Sequence, residues 1–416
     1  MPAPALTRWG FDFAVTEIGL IAVGVIALMT ASVLLLREEY ASRKKSCVES
    51  LRLSIFSFKE KKMRTDDSIK NYKRAARKCL SFAIVLSVCL LLLAVASVGL
   101  GAMKLSFGDV LCVIWGKLTG NAALYSDIKA GEAAVVWDIR LPRILCGALV
   151  GAGLSASGVI FQSILQNPLA DPYTLGISTG AAFGASLAIM LNLLLGVFLP
   201  IPLFALAFAL LTLAAVIAIS IRGGGLVSSN LIIAGIIVSS ILSAGISFMK
   251  MLAGENVSAI VFWIMGSLGS KHWSDVALLA PVVLVGIALA QCFASDLNLM
   301  ALGGDTAQTL GVNVKRVRLM YLVIGSAITA VCVSACGVIG FIGLVVPHLL
   351  RFSHTPDNRM LLPLSSLLGA LLLMAADNVT RLISNGEIPV GVLTTLFGGP
   401  FFIWIFIRRR RLESNG

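Results

Sequence analysis

Arg140, Arg143 and Arg381 are the side chains of this chain best suited to bind something. A guanidinium stays charged at physiological pH and grips a carboxylate through two parallel hydrogen bonds. Each of the three falls at the end of an apolar stretch, where an arginine snorkelling to lipid headgroups is the plain alternative. Asp377, in Met374-Ala375-Ala376-Asp377, lies inside such a stretch, where a carboxylate without a partner costs roughly 3 kcal/mol. One carboxylate alone makes a poor proton relay, so a hydrogen-bonding role close to the end of its stretch is the expectation. Nothing else has reactive spacing. No G-x-x-x-x-G-K-[ST] loop occurs, since Gly116-Lys117 runs into Leu118. The cradle of amides and the lysine that hold ATP are therefore missing, and the chain is not expected to hydrolyse it. Three histidines, His272, His348 and His354, argue against a multi-histidine metal site. The eight cysteines form no C-x-x-C pair, and Cys332 and Cys336 at i, i+4 read as small apolar packing. No catalytic residue, metal or cofactor is expected.

The elements that carry these residues are built for lipid. Of 416 residues, 58% are hydrophobic and 13% charged, with a mean hydropathy of +0.94. The charges are segregated and leave apolar runs of about 18–22 residues, the length that crosses ~30 Å of hydrocarbon as helix. These runs are continuously apolar and do not alternate with period two, which excludes a strand reading. The fold class is all-α and polytopic. Core spans are placed near 81–100, 144–165, 175–191, 199–220, 229–250, 275–292, 318–336, 338–353, 361–381 and 389–407. Hydropathy alone would fuse the short eighth span with the seventh.

Punctuation falls between the spans. In Asn167-Pro168-Leu169-Ala170-Asp171-Pro172 the prolines lack backbone donors and disfavour helix before them, so the chain must break there. Gly176, Gly180 and Gly184 recur every four residues, a spacing that lets helices approach closely in lipid. The stretch 297–317 is polar and Gly-broken; it reads as two short helices joined near Gly311, with Asp305 placed to cap one of them. Ser155-Ala156-Ser157-Gly158-Val159-Ile160 matches Ser334-Ala335-Cys336-Gly337-Val338-Ile339 at five of six positions, and Pro168 falls on Pro347 at the same offset. The two segments lie in spans of opposite direction, the pattern of an inverted repeat.

Four blocks resemble one family. They are Arg140 to Gly180, Ala301-Leu302-Gly303 through Leu310-Gly311, Gly337 through Pro347-His348, and Pro389-Val390-Gly391-Val392 through Gly399-Pro400-Phe401. In this order they resemble the FecCD-type permease subunits of ABC importers for iron–siderophores, haem and cobalamin, over about Leu80 to Arg411. The resemblance implies a ten-span permease core, a homodimer with its pathway on the two-fold axis, and two ATP-binding-cassette ATPase subunits beneath it. It also implies an extracytoplasmic substrate-binding protein that delivers a metal chelate. Arg140 and Arg143 match arginines that receive acidic residues of that binding protein, and Arg381 matches with a one-residue gap before Glu387-Ile388-Pro389. Leu302, Gly303, Asp305, Leu310 and Gly311 match the segment that seats in the ATPase, although the acidic residue follows a second glycine here. Asn167, Pro168, Pro172, Pro347 and Pro389 are the helix breaks that would serve gating. An ion-gradient-driven secondary transporter is the alternative, and it needs paired charges within the membrane, for which Asp377 alone offers anything.

With the first core span ending outside, the inner segments hold 24 of the 33 Lys and Arg residues, which places the core termini in the cytoplasm of a plasma (inner) membrane protein. The net charge of +12 is then topological, with no nucleic-acid-binding motif behind it. The permease domain is expected over 80–411. Residues 1–79 depart from the family pattern, with an apolar run at 18–36 and a basic segment at 37–79. That run reads either as an eleventh span or as sequence ahead of a native start at Met63; it lacks the basic lead and small-residue cleavage site of a signal peptide.

Overall fold

The computed structural model describes residues 61–100, 105–383 and 388–414. Among them every regular element is helical. The apolar run 18–36 and residues 37–60 of the basic segment lie outside the described residues.

The chain opens with α1 (Lys61–Gly99) and a short amphipathic α2 (Phe107–Thr119). A turn at Ala130–Ala134 and a π-helical stretch at Val135–Arg140 then run without interruption into α3 (Leu141–Ile164). There follow α4 (Ile177–Leu195), α5 (Ile201–Arg222), α6 (Ser228–Ala253), α7 (Val257–Ile264) and α8 (Trp273–Cys292). Two short helices, α9 (Ala294–Ala301) and α10 (Gly304–Thr309), precede α11 (Val314–Cys336). The chain closes with α12 (Ile342–Ser353), α13 (Asn358–Ile383) and α14 (Val390–Ser414). Among the described residues eight helical segments are long and apolar enough to cross a membrane, and Ile342–Ser353 and Val390–Ile403 are shorter apolar helices.

Two helices, α3 and α11, form the centre and bury most of their residues, whereas α1 stays largely bare on the outside of the bundle. Close packing rests on small residues. The Gly151 Cα abuts the Gly369 backbone of α13, and Gly158 faces the Gly343 backbone of α12, so closely that a Cβ at either would overlap a carbonyl. Ser157 Oγ donates to the Gly325 carbonyl of α11 at 3.1 Å.

The structure differs from the expected spans in two places. The second begins at 130 and not at 144: Pro142 removes one helical donor, and the wide turn before it absorbs the clash, so the helix continues where a start was expected. The eighth, expected to cross from 338 to 353, is a 12-residue helix of about 18 Å, too short to span. Its missing start is an unwound strap at 337–341. Gly337, at φ +71°, ends α11 against the Trp263 carbonyl where no Cβ would fit, and Phe341 takes a left-handed φ of +68°. The break expected at Pro347 thus falls ten residues earlier, and Pro347 lies inside α12. For the same reason the matched hexapeptides adopt different structures, one wholly helical and the other helix followed by strap.

Candidate functional site

Two polar clusters clamp α3 to α13, one at each end of the pair. At the first, which we call the arginine end, Arg143 Nε donates to both Asp377 carboxylate oxygens at 3.1 and 2.9 Å, and its Nη2 donates to Oδ1 at 2.7 Å. Asp377 is buried, so it does have the partner that the sequence left unidentified, 234 positions away. Such a bidentate charged pair is among the stronger contacts a protein makes. Arg140 and Arg381 turn to the end of α1 instead. That helix has no basic residue in its own last turn, so its final carbonyls need outside donors. Arg140 Nη1 donates to the Val98 carbonyl, while Arg381 donates to Ser97 O at 3.1 Å and to Leu100 O. Two cations thus meet the negative end of the helix dipole. The same device closes α11, where Lys271 Nζ donates to Ala335 O at 2.6 Å.

This geometry corrects one expectation. Arg140 was expected to receive acidic residues of a binding protein beside Arg143, but it is only 4% exposed. The unbroken helix through Pro142 rotates it inward. Arg143 and Arg381 are partly exposed.

The other cluster is made of amides. Arg351 at the end of α12 donates to Gln162 Oε1 and, at 3.0 Å, to Ser163 Oγ on α3. Ser163 donates to Asn358 Oδ1 at 3.2 Å, and the Asn358 backbone N–H donates to Asn298 Oδ1 at 2.8 Å. Asn298 Nδ2 donates to Asp357 Oδ1 at 2.6 Å. A second tie runs from Gln166 Nε2 to the Met300 carbonyl at 3.0 Å. The short helix α9 is therefore hydrogen-bonded to the ends of both α3 and α13. None of Gln162, Asn298, Arg351 and Asn358 was singled out from the sequence. Their only signal there is a polar side chain at the edge of an apolar run.

Beside this cluster, α9 and α10 form a polar corner between two membrane-length helices. Its bend sits at Gly303, with φ +116°, and not at Gly311, which instead joins α10 to α11 with φ +85°. Asp305 lies exposed in the first turn of α10, where it complements the helix dipole but caps nothing; the N-cap position belongs to Gly303. Leu302 and Leu310 flank the corner and are 65% and 58% exposed. Two bare leucines on an otherwise polar corner suit burial in a partner's groove.

The expected breaks divide. Asn167 Oδ1 accepts the Leu169 N–H at 2.9 Å and shapes the connector between α3 and α4, in which Pro168 is exposed. Pro172 is buried against Gly343 of α12, and Tyr173 Oη donates to the Ile339 carbonyl of the strap at 2.7 Å. The connector and the strap are thus packed as one unit. Pro389 opens α14, its carbonyl accepting the Val392 N–H at 3.1 Å. Nearby, Ser178, Thr179, Ser243, Ser247 and Lys250 line a cavity of about 320 Å³ between α4 and α6. Among the described residues no group of three or more His, Cys, Asp or Glu is arranged to hold a metal ion.

Comparison with known proteins follows the same lines. The model of the FecCD transport family matches residues 89–408. The cobalamin import system permease BtuC of Halobacterium salinarum is 41% identical over 293 residues, covering 70% of this chain and 78% of that protein. The hemin transport system permease HmuU of Yersinia pestis is 36% identical over 349 residues, covering 82% and 98%. A solved structure described as an inward-facing metal-chelate-type ABC transporter superposes with a TM-score of 0.69 at 31% identity, covering 79% of this chain and 99% of that one.

Proposed function

The chain belongs to the FecCD transport family, and on that premise we propose that it is the membrane-spanning permease subunit of a binding-protein-dependent ABC importer. Its cargo is a metal chelate, an iron–siderophore, haem or cobalamin, moved into the cytoplasm by ATP hydrolysis on a separate subunit. The observation that carries this reading is the polar corner at 294–309, inserted between two membrane-length helices with Leu302 and Leu310 bare. A corner of this shape, tied through Asn298 to the ends of α3 and α13, is fitted to receive a push from an ATPase subunit and pass it into the bundle.

The core termini are cytoplasmic in this reading, so the amide end faces inward and the arginine end faces the binding protein. Arg381 presents its partly exposed charged edge to acidic residues of that protein, while Arg143 is engaged by Asp377 and Arg140 holds α1. The chain works as a homodimer. Most of α6 is unburied, with Ile233, Ile237, Ile241 and Phe248 exposed beside the hydroxyl-lined cavity, and this supports a second copy meeting it there across the pathway. The packed connector and strap, with Pro168, Pro172, Pro347 and Pro389, would gate that pathway. Direction arises because ATP binds the outward- and inward-facing states of the complex with different affinity. A secondary transporter would need a carboxylate free to take up an ion, and Asp377 is saturated by Arg143.

Reconstitution tests the proposal. The purified chain in liposomes should hydrolyse no ATP alone, and should import chelate once the ATPase subunit and loaded binding protein are supplied. Robust hydrolysis by the isolated chain would overturn it.

A further inference from the structure

A cleft of about 900 Å³ opens along the middle of α1, against the end of α12. On α1 it is lined by Arg74, Arg77 and Lys78, then by Ser81, Phe82 and Val85. Spaced by three and four, these six residues form one stripe on the helix. The stripe changes character along its length: three cations stand where the helix enters its apolar run, and the apolar members follow one to two turns deeper. Across the cleft, Ser353 and His354 complete the wall, and the His354 ring stacks on Phe82 with centroids 4.1 Å apart. Among the described residues no acidic side chain lines the cleft, and none forms an ion pair with the three cations. The carboxylate of nearby Asp357 is engaged elsewhere, accepting from Asn298 and from the backbone of Arg359. Below the cleft the stripe continues into a bare apolar surface at Val88, Leu91 and Leu92.

Cations in front and hydrocarbon behind match one kind of molecule. We propose that this cleft binds a single anionic phospholipid, its phosphate held by Arg74, Arg77 and Lys78 and an acyl chain laid along Phe82, Val85 and the surface beyond. A basic cluster at the membrane boundary attracts anionic lipid generally. The cleft adds a wall opposite the cations, which turns a diffuse attraction into a site for one lipid. A free inorganic anion would use the cations but not the apolar continuation of the stripe, and this separates the two sources.

The full chain in mild detergent, titrated with phosphatidylglycerol or phosphatidylcholine and read by native mass spectrometry, tests this. One phosphatidylglycerol per chain should be retained in preference to phosphatidylcholine, and excess inorganic phosphate should not displace it. Combined Arg74→Gln, Arg77→Gln and Lys78→Gln should weaken phosphatidylglycerol retention by about tenfold or more, given the size of each cation's attraction. Arg222→Gln, at another helix end, should leave it unchanged. Arg77→Gln alone, at an exposed position, should give an intermediate loss and guards against misfolding of the triple variant. Equal retention of the two lipids, or retention unaffected by the triple substitution, overturns the site. Complete displacement by inorganic phosphate makes it a free-anion site and overturns the lipid assignment.

Discussion

The arginine end and the amide end join the same two helices, α3 and α13, with opposite chemistry. At the first, a bidentate charged pair is half-withdrawn from solvent, and two further guanidiniums bind the last carbonyls of α1. At the second, Arg351 and the Asp357 carboxylate stand apart, joined only through Gln, Ser and Asn side chains that run out to the short helix α9. Removing one partner of a buried charged pair costs several kcal/mol, because the other is left uncompensated. A neutral hydrogen bond is worth about 1 kcal/mol net, even between buried groups such as Ser163 and Asn358. The same pair of helices is therefore fastened firmly at one end and less firmly at the other, and the weaker end is the one tied to the corner that we propose seats in an ATPase subunit. In that proposal, a push at the corner meets the weaker of the two fastenings.

The largest expected effect breaks the firm end. Asp377→Ala leaves the Arg143 guanidinium without its carboxylate and should lower stability by about 3 kcal/mol in denaturant unfolding in detergent. Adding Arg143→Leu should recover most of the loss; failure of the double variant to recover would mean that the pair is not what holds this end. Next, Leu302→Glu with Leu310→Glu should weaken ATPase-subunit binding by about thirtyfold, as expected for buried anchors at an interface. Unfolding of the chain should be unchanged, because both leucines are bare. Asn298→Ala, which removes one bond to a backbone N–H and one to the Asp357 carboxylate, should cost about 1–2 kcal/mol of stability, yet lower binding-protein-stimulated ATP hydrolysis several-fold, since it severs α9 from α13. A stability loss as large as that of Asp377→Ala would erase the distinction between the ends. The smallest effect is on docking. Arg381→Gln should weaken binding-protein association about threefold at low ionic strength and hardly at all in high salt.

Hydropathy carried most of the architecture, because the bilayer forces long apolar helices to declare themselves. It failed where a local feature overrode the average. Lys129, Glu132, Asp138 and Arg140 hide the helical lead into α3 from any apolar window, and the strap at 337–341 is as apolar as the helices it separates. Of the candidate residues, Arg143 was legible as a carboxylate binder, but its partner Asp377 came from a distant part of the chain. The inward turn of Arg140 depends on a helix running through Pro142, which sequence rules read as a start. Asn298, Asn358 and Gln162 carry no charge and no motif, so only their meeting in space marks them. The bend at Gly303 was misplaced to Gly311 because both glycines suit a left-handed turn, and the position of Ala294–Ala301 decides between them.

The claim that the two ends behave differently is tested most directly by distances within one chain of the assembled complex. Spin labels at Gln308 and Arg359 report the amide end, and labels at Asp138 and Leu382 report the arginine end. On adding ATP and binding protein, the distance distribution of the first pair should shift while that of the second stays fixed. A shift at the arginine end with none at the amide end would contradict the account.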